Sequence, residues 1–513
     1  MDRESAIDSI ISKILDGERN LEKLKREASR DGSMIKNPEI LARFPKDRIT
    51  HEIKKLLLKK PTKTLSGVSP IAVMIRPQDS CSHSCIYCPF TGMAAKSYTG
   101  LEPAAMRSRE HNFDSFLQTS DRVRQFEGAG HSGEKCEVIV MGGTFLEMSA
   151  RYKRSFIKGI YDGLNSSRSE NLEAAMAANE RSSHRAVGLT IETRPDVCIP
   201  YIDEMLSYGA TRVELGVQHP DDDIYRVINR GHTVQDVIDA TRHLKNCGFK
   251  VLYHIMPGLP GSDPSEDILA IRLIFEDPSF RPDMLKIYPT LVLEDTPLHR
   301  MMQKGEFRPY SAEQAADVIS EFYRHIPPYV RVMRIQRDIP AQRIESGVRK
   351  SNLRELVEKR LHEKKIVPHE IRYREIGLNK KTDLRGFEIH NREYIASDAK
   401  ETFLSFEDED GLIAGFARLR LPKESIRSEI NSNTALLREL HVYGKSLPIS
   451  AKPLNAKEGV QHKGLGESLL HEAEEIARCD GRNRMVIISG VGAREYYAKH
   501  GYSRLGPYMA RDL

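Results

Sequence analysis

No run of apolar residues in this 513-residue chain approaches the roughly 18 that a membrane-spanning helix needs. Its first residues, Met1-Asp2-Arg3-Glu4, are charged and lack the apolar stretch of a signal peptide, so a cytoplasmic enzyme with no membrane partner is expected. An excess of one charge is missing too. The formal net charge is only +5, which excludes a polycation. Neither an internal repeat nor a low-complexity tract occurs, and contents of 39% hydrophobic and 29% charged residues are ordinary for a soluble globular protein. One core does not serve a chain this long, and about two to four domains are expected.

Cysteine is sparse and uneven. Cys136, Cys198, Cys247 and Cys479 are scattered, whereas Cys81, Cys85 and Cys88 fall within eight residues. In a cytosolic chain such a cluster reads as metal binding rather than as disulfides. Basic charge gathers as well. Between Lys46 and Arg76 there are eight Lys/Arg against two acids, Asp47 and Glu52.

The chain is α/β and divides by pattern. Residues 1–65 read as a helical, basic segment: Ile7, Ile10, Ile11, Ile14, Leu21 and Leu24 keep helical spacing, and a second helix through Ile53 and Leu56-Leu57-Leu58 ends at Pro61. Lys54, Lys55, Lys59, Lys60 and Lys63 could follow a phosphate backbone, with Arg76 beyond them. A solvated helix face is the plainer account of such a run. From 66 to 345, apolar strands ending in glycine or a polar residue alternate with helices: Val138–Met141, Ala186–Ile191, Arg212–Val217 and Lys250–Ile255. That alternation predicts a partial parallel (β/α) barrel, with chemistry at the C-terminal strand ends near Glu192, Gln218 and Met256-Pro257-Gly258. Lys286 and Tyr288 are further candidates for lining the barrel site. Residues 346–370, rich in Lys, Arg and Glu, read as a linker. Residues 371–513 read as a second domain with a mixed sheet, including a hairpin about the acidic turn Glu407–Gly411.

Cys81-x3-Cys85-x2-Cys88 offers three thiolates from one compact loop. A [4Fe–4S] cluster held by three keeps one iron open for S-adenosylmethionine (SAM), whose cleavage yields a carbon radical. Tyr87 would sit near the adenine. The alternative is a zinc site with His83 as the fourth ligand. The loop ahead of a β/α series resembles the radical-SAM superfamily. Ser97–Gly100, Met141–Phe145, Ile191–Asp196 and Asn229–Thr233 are similar to the catalytic (third) subunit of Elongator, a radical-SAM/GNAT family that makes carboxymethyluridine in tRNA. Some members carry an extra cysteine site near the domain junction. No cysteine lies between Cys247 and Cys479, so no such zinc site is expected here.

Gln461-His462-Lys463-Gly464-Leu465-Gly466 fits the Q/R-x-x-G-x-G/A loop of GNAT-class acetyltransferases. Small residues let backbone amides approach a pyrophosphate, and a helix beginning near Glu467 directs its positive end at it. The resemblance implies that Glu439, Leu440, His441 and Val442 line the acetyl-CoA channel, that Leu465 to Ser468 hold the pyrophosphate, and that Tyr496 sits at the thioester. Tyr497 is an even choice between catalysis and packing. Lys135 is implied as an acetyl-CoA contact from the radical domain by resemblance only.

The family implies an acyltransferase acting on tRNA. A radical made from SAM takes hydrogen from the acetyl methyl, the carbon joins carbon 5 of the wobble uridine (position 34), and thioester hydrolysis leaves 5-carboxymethyluridine. An anticodon stem-loop suits such recognition, since its bases can be splayed out. An electron donor is required, and a homodimer or accessory Elongator-like subunits are open. Close approach of methyl and radical requires the two pockets to face each other. The rivals are a protein lysine acetyltransferase with a structural radical-SAM domain, a radical-SAM tRNA enzyme of another reaction type, and a non-catalytic RNA-binding subunit.

Overall fold

The computed structural model describes residues 3–28, 35–57, 67–78, 81, 83–131, 133–379, 384–443 and 464–513. Helices Arg3–Leu15, Leu21–Ala28, Asn37–Arg43 and His51–Leu57 open the chain. Ile7, Ile10, Ile11 and Ile14 share one face and build a core of their own with Leu24, Ile40, Phe44, Ile53 and Leu57.

Next comes an all-parallel sheet. Its strands are β1 (Ser69–Met74), β2 (Lys135–Met141), β3 (Arg185–Thr193), β4 (Arg212–Gln218), β5 (Lys250–Ile255), β6 (Met284–Ile287) and, after the short β7 (Val292–Leu293), β8 (Arg331–Ile335). They lie in chain order β1-β2-β3-β4-β5-β6-β8, while β7 pairs antiparallel with β9 (Ile344–Ser346). Sequential parallel strands with helical crossovers make an open barrel, since the first and last strands do not pair. Register decides which residues share the inner face. Ile139, Thr190, Arg212 and Lys250 stand level with one another, and Glu192, Glu214, Leu252 and Met284 form the next layer up.

The stretch 346–370, expected as a connection, instead carries the helix Leu353–Glu363, which packs against the helix Ala312–Phe322 of the barrel. Leu353, Val357 and Leu361 are its buried stripe. The charges that suggested a linker sit on its outer face.

The second sheet holds β10 (Glu388–Ala396), β11 (Ala399–Glu407), β12 (Ile413–Leu421), β13 (Thr434–Val442), β14 (Arg484–Ile487), β15 (Ser503–Leu505) and β16 (Tyr508–Asp512), in the order β10-β11-β12-β13-β14-β16-β15. All pairs are antiparallel except β13 with β14. That parallel pairing ends at Leu437, yet β13 continues to Val442, so the two strands part and leave a notch. The helix Leu465–Cys479 packs on this sheet through Leu469, Leu470, Ala473 and Ala477.

The two sheets share one apolar core. Leu436, Tyr443, Val486, Ile488 and Tyr508 of the second belong to the same cluster as Val187's neighbours Ala186 and Leu189 in the barrel. Contacts run along the N-terminal ends of the parallel strands. Gly490 approaches so closely that an added Cβ would lie 2.2 Å from the Val187 carbonyl oxygen. At the centre is a buried ion cluster. Arg438 donates to Asp283 at 2.9 and 2.6 Å and to Glu401 at 2.6 Å, Arg420 reaches Glu401 at 2.8 Å, and Lys245 reaches Glu401 at 3.3 Å. Lys245 and Asp283 belong to the barrel, the others to the second domain.

Burial opposes charge on both carboxylates, but Arg438 and Lys245 outweigh it, holding Asp283 well below the usual range and Glu401 down at about 2. Their folded values lie below the unfolded ones, so their stabilisation is present above about pH 4 and is lost as pH falls below it. Removing one partner strands buried charge, so Asp283→Asn should cost about 3–5 kcal/mol and flatten the loss of stability below about pH 4. Calorimetry should show one joint transition for the parent chain and two separated ones for the variant.

Candidate active site

The three cysteines lie just beyond the C-terminal end of β1, and none forms a disulfide. Cys85 is buried and Cys88 closes a turn onto it, its N–H donating to the Cys85 carbonyl at 3.1 Å. Two loops from the strand tops grip this segment. Asn229 donates to the Ser84 carbonyl at 2.9 Å, and the Ile86 N–H donates to Ile228 at 3.1 Å. Arg194 bonds Asp196 at 3.1 Å and the Arg230 carbonyl at 2.7 Å, and Asp196 meets His83 at 3.2 Å. His83 is therefore occupied as a prop for the loop. At Gly231, with φ +77°, a Cβ would fall 2.1 Å from the His83 ring.

Arg230 is the decisive neighbour. Its guanidinium donates to Cys85 Sγ at 3.4 Å and to the Gly216 carbonyl. Burial alone would raise the Cys85 pKa, but Arg230, helped by Arg194 and Tyr87, more than offsets this and lowers it, which favours a thiolate. Burial pushes Cys88 up to about 12. Three free thiols on one gripped loop, one of them paired to a guanidinium, form a donor set that fits a cluster with one open iron.

Above the barrel, Glu192 accepts from Tyr98 at 2.9 Å and from the Gly142 N–H at 3.1 Å. Arg337 lies over the Tyr98 and Tyr288 rings at 5.3 and 6.0 Å and donates to the Ser97 carbonyl at 2.6 Å. Lys286 is buried against Glu214, which also bonds His254 at 2.9 Å. Burial lowers the Lys286 pKa, but Glu214, Tyr288 and Glu192 together more than offset it and raise the value, so Lys286 is an ammonium and not a ready base. Glu192, Glu214 and His254 offer ligand atoms within 4.8 Å of one another, with Lys286 already supplying a cation there. Gln218, at the top of β4, holds φ +71°, and Gln336, just past β8, holds φ +78°. Such backbone persists where surroundings impose it, commonly at working sites.

The notch beside β13 opens into a cavity of about 220 Å³ lined from both domains. Glu439, Leu440, His441, Val442 and Tyr497 line it from one side, and Lys135, Glu137, Gly188 and Lys250 from the barrel. Lys135 thus lines the cavity beside β13, not a free surface. Glu439 accepts from Arg418 at 2.7 Å, and burial lowers the pKa of His441, Lys135 and Lys250. Gly464 begins the helix Leu465–Cys479 with φ +77°, with Glu467 and Ser468 exposed in its first turn and Leu465 buried. An added Cβ on Gly466 would stand 2.8 Å from the Tyr496 hydroxyl, so loop and tyrosine meet. Tyr497 packs into the second sheet's core as well as lining the cavity.

Gln461 and Lys463 lie outside the described residues, as do Lys59, Lys60, Lys63 and the side chains of Lys54 and Lys55. Arg76 is exposed, its guanidinium 4.8 Å from the Tyr152 ring centre. Sequence reasoning missed Arg212, Glu214, Arg230 and His254. A charge inside an otherwise apolar strand, as in Arg212-Val-Glu214-Leu, was the available signal.

The two pockets are expected to face each other, but they do not open toward each other across a cleft. The cysteine loop is at the C-terminal ends of the parallel strands and the notch at their N-terminal ends, because the ion cluster seats the second domain below the barrel. Seven residues of β4 separate them, roughly 20 Å.

Comparisons with known proteins agree with these two sites. Residues 75–274 match the Radical SAM superfamily, 282–363 the Radical_SAM C-terminal domain, and 369–502 the Acetyltransferase (GNAT) family. The "tRNA uridine(34) acetyltransferase" of Methanocaldococcus jannaschii is 47% identical over 483 residues, 90% of this chain and 88% of that one. The chain belongs to the Elongator complex protein 3 family. The human member, "Elongator complex protein 3", is 41% identical, covering 89% of this chain and 86% of its own. The solved structure of archaeal Methanocaldococcus infernus Elp3 with an N-terminal deletion (1–46) superposes with TM-score 0.77 at 43% identity, covering 88% of this chain and all of that one. A radical-SAM domain takes a [4Fe–4S] cluster and SAM, and a GNAT domain takes acetyl-CoA.

Two substitutions test the geometry. Gly231→Ala should displace the cysteine loop, lowering bound iron after anaerobic reconstitution at least fivefold while the melting temperature moves little (iron assay beside calorimetry). Gly466→Ala should weaken acetyl-CoA binding about tenfold, or about 1.4 kcal/mol. The double variant Gly466→Ala, Tyr496→Phe should recover part of that by calorimetric titration, because the clashing hydroxyl is gone.

Proposed function

We propose that this chain modifies tRNA, joining the acetyl carbon of acetyl-CoA to carbon 5 of the wobble uridine (position 34) to give 5-carboxymethyluridine. The reading rests above all on one observation: a three-thiolate loop and an acyl-CoA notch occupy the two ends of the same parallel strands. The relatives' printed name, tRNA uridine(34) acetyltransferase, supports the substrate.

Cys81, Cys85 and Cys88 would hold the cluster, which when loaded supplies the electron for reductive cleavage of SAM. Arg230 shifts Cys85 toward the thiolate, and Gly143, where an added Cβ would meet nothing within 4 Å, leaves room for a ligand next to the Gly142 N–H that donates to Glu192. In balance, SAM becomes methionine and 5′-deoxyadenosine, taking one hydrogen atom from the acetyl methyl. The radical formed when the carbon joins uridine would lose the carbon-5 hydrogen as a proton and give one electron back to the cluster, so no net electron is consumed. Water then releases CoA and leaves the carboxylate. Glu192 and Lys286 bind and orient at the barrel top, while Tyr496, with Tyr497 behind it, stands at the thioester end of the notch. Lys54, Lys55, Lys59, Lys60, Lys63 and Arg76 bind the anticodon stem-loop through its phosphates. An electron donor completes the partner set.

Anaerobic reconstitution with iron, sulfide, SAM, reductant, carbon-labelled acetyl-CoA and tRNA should place the label in wobble uridine as a carboxymethyl group, read by nucleoside mass spectrometry. Cys81→Ala should abolish it. Peptide-lysine acetylation that survives Cys81→Ala, with no labelled uridine from the parent chain, would instead establish a protein acetyltransferase.

A further inference from the structure

The lumen of the barrel is lined with charge from end to end. At its lower mouth the cavity shared with the notch reaches Glu137 and Gly188, which stand level on adjacent strands. One layer up, Arg212 crosses the lumen between Glu137 and Glu214, with its Nε 3.6 Å from Glu214 Oε1. Above it Glu214 meets Lys286 and His254, and Glu192 follows with Tyr98 at the cysteine-loop end. Arg212 is 2% exposed and Glu214 is fully buried, so Arg212 closes the passage in this structure.

The same group carries unused bonding capacity. Among the described residues, Arg212 Nε and Nη2, Glu214 Oε1 and Thr190 Oγ1 make no hydrogen bond although all are buried. Buried donors without partners are costly and call for a polar ligand. A guanidinium with two spare N–H groups suits a carbonyl oxygen. Gly188, just below, leaves space in the passage: a Cβ there would meet only Thr211 and Glu137, at 3.5 and 3.6 Å.

We propose that the barrel lumen is the route by which the acetyl end of acetyl-CoA passes from the notch to the cysteine-loop end, and that Arg212 is its gate and holds the acyl oxygen. This rests on the function proposed above. Glu137 and Glu214 keep Arg212 across the passage until an acyl carbonyl takes up its free N–H groups. Gly188 admits the thin pantetheine arm, whose length is what lets one bound CoA serve both ends of the strands. Arg212 holds the acyl group through hydrogen bonds and forms no covalent bond to it.

Two measurements test it. The first needs no cluster: calorimetric titration with CoA and with the ketone analogue of acetyl-CoA, in which a methylene replaces sulfur. The parent should bind the ketone about tenfold more tightly than CoA, and both Gly188→Leu and Arg212→Lys should bring that ratio near one. The second uses reconstituted enzyme with trideuterated acetyl-CoA and counts deuterium per 5′-deoxyadenosine formed. Both variants should lower it at least tenfold. Gly188→Leu keeps the Arg212 guanidinium itself and its contact with Glu214, so it remains informative should Arg212→Lys fold poorly. Parent-like ratios in Gly188→Leu would overturn the route. A loss in Gly188→Leu with parent-like ratios in Arg212→Lys would overturn the gate. A parent chain that cleaves SAM yet transfers no deuterium would overturn the proposed chemistry and the route together.

Discussion

Arg438 reaches out of β13 into the barrel and places its guanidinium between Asp283 and Glu401, with no exposure to water. Taking these charges out of water is expensive, and their mutual attraction offsets that only when the geometry is good and every remaining bond is made. Here the set is dense: Arg438 also donates to the Phe249 carbonyl at 2.8 Å, leaving its Nε without a hydrogen bond, and Arg420 donates to Asn246 at 2.8 and 2.5 Å. A misdocked second domain would leave several charges stranded at once. The network therefore specifies one relative placement of the two sheets, and it does so one residue from Glu439, which faces the notch.

That placement controls the chemistry. With the second domain seated under the strands, an acyl group in the notch and a cluster on Cys81, Cys85 and Cys88 would be separated by the full length of the parallel sheet. The inner face of the barrel becomes the ground between them, and it holds Arg212, Glu214, Lys286 and Glu192 where most barrels pack Val, Ile and Leu. Distorted backbone gathers at the upper end, with positive φ at Ser97, Gln218, Asn229 and Gln336. Ordered packing below and imposed backbone above fit a site whose parts come from six or more separate loops.

Much of this architecture was legible in the residues. Strands β2 to β5 announce themselves as apolar runs ended by glycine or a polar residue, and the hairpin of β11 and β12 by its acidic turn. Short strands did not: β6 has four residues and β8 five, too few for a pattern to stand out, and β10 alternates charged with apolar residues on an exposed edge. The helix Leu353–Glu363 was hidden by its outer charges, because three leucine-class residues at helical spacing are a weak signal. At the site, the cysteine spacing and the glycine loop carry their chemistry locally. Arg212, Glu214 and Arg230 acquire meaning only through partners distant in sequence, such as Glu137 and Cys85, and docking from below depends on contacts like Arg438 to Asp283 that no single segment reveals.

The account's central claim is that the acyl-CoA site and the cysteine loop lie at opposite ends of one set of strands. A crystal structure of the chain with the non-hydrolysable ketone analogue of acetyl-CoA tests it most directly. The account predicts pantetheine density between β13 and β14, pointing past Lys135 toward Gly188 at the N-terminal strand ends. Density for the acyl arm entering beside Cys85 and Arg230, from the other end of the barrel, would contradict it.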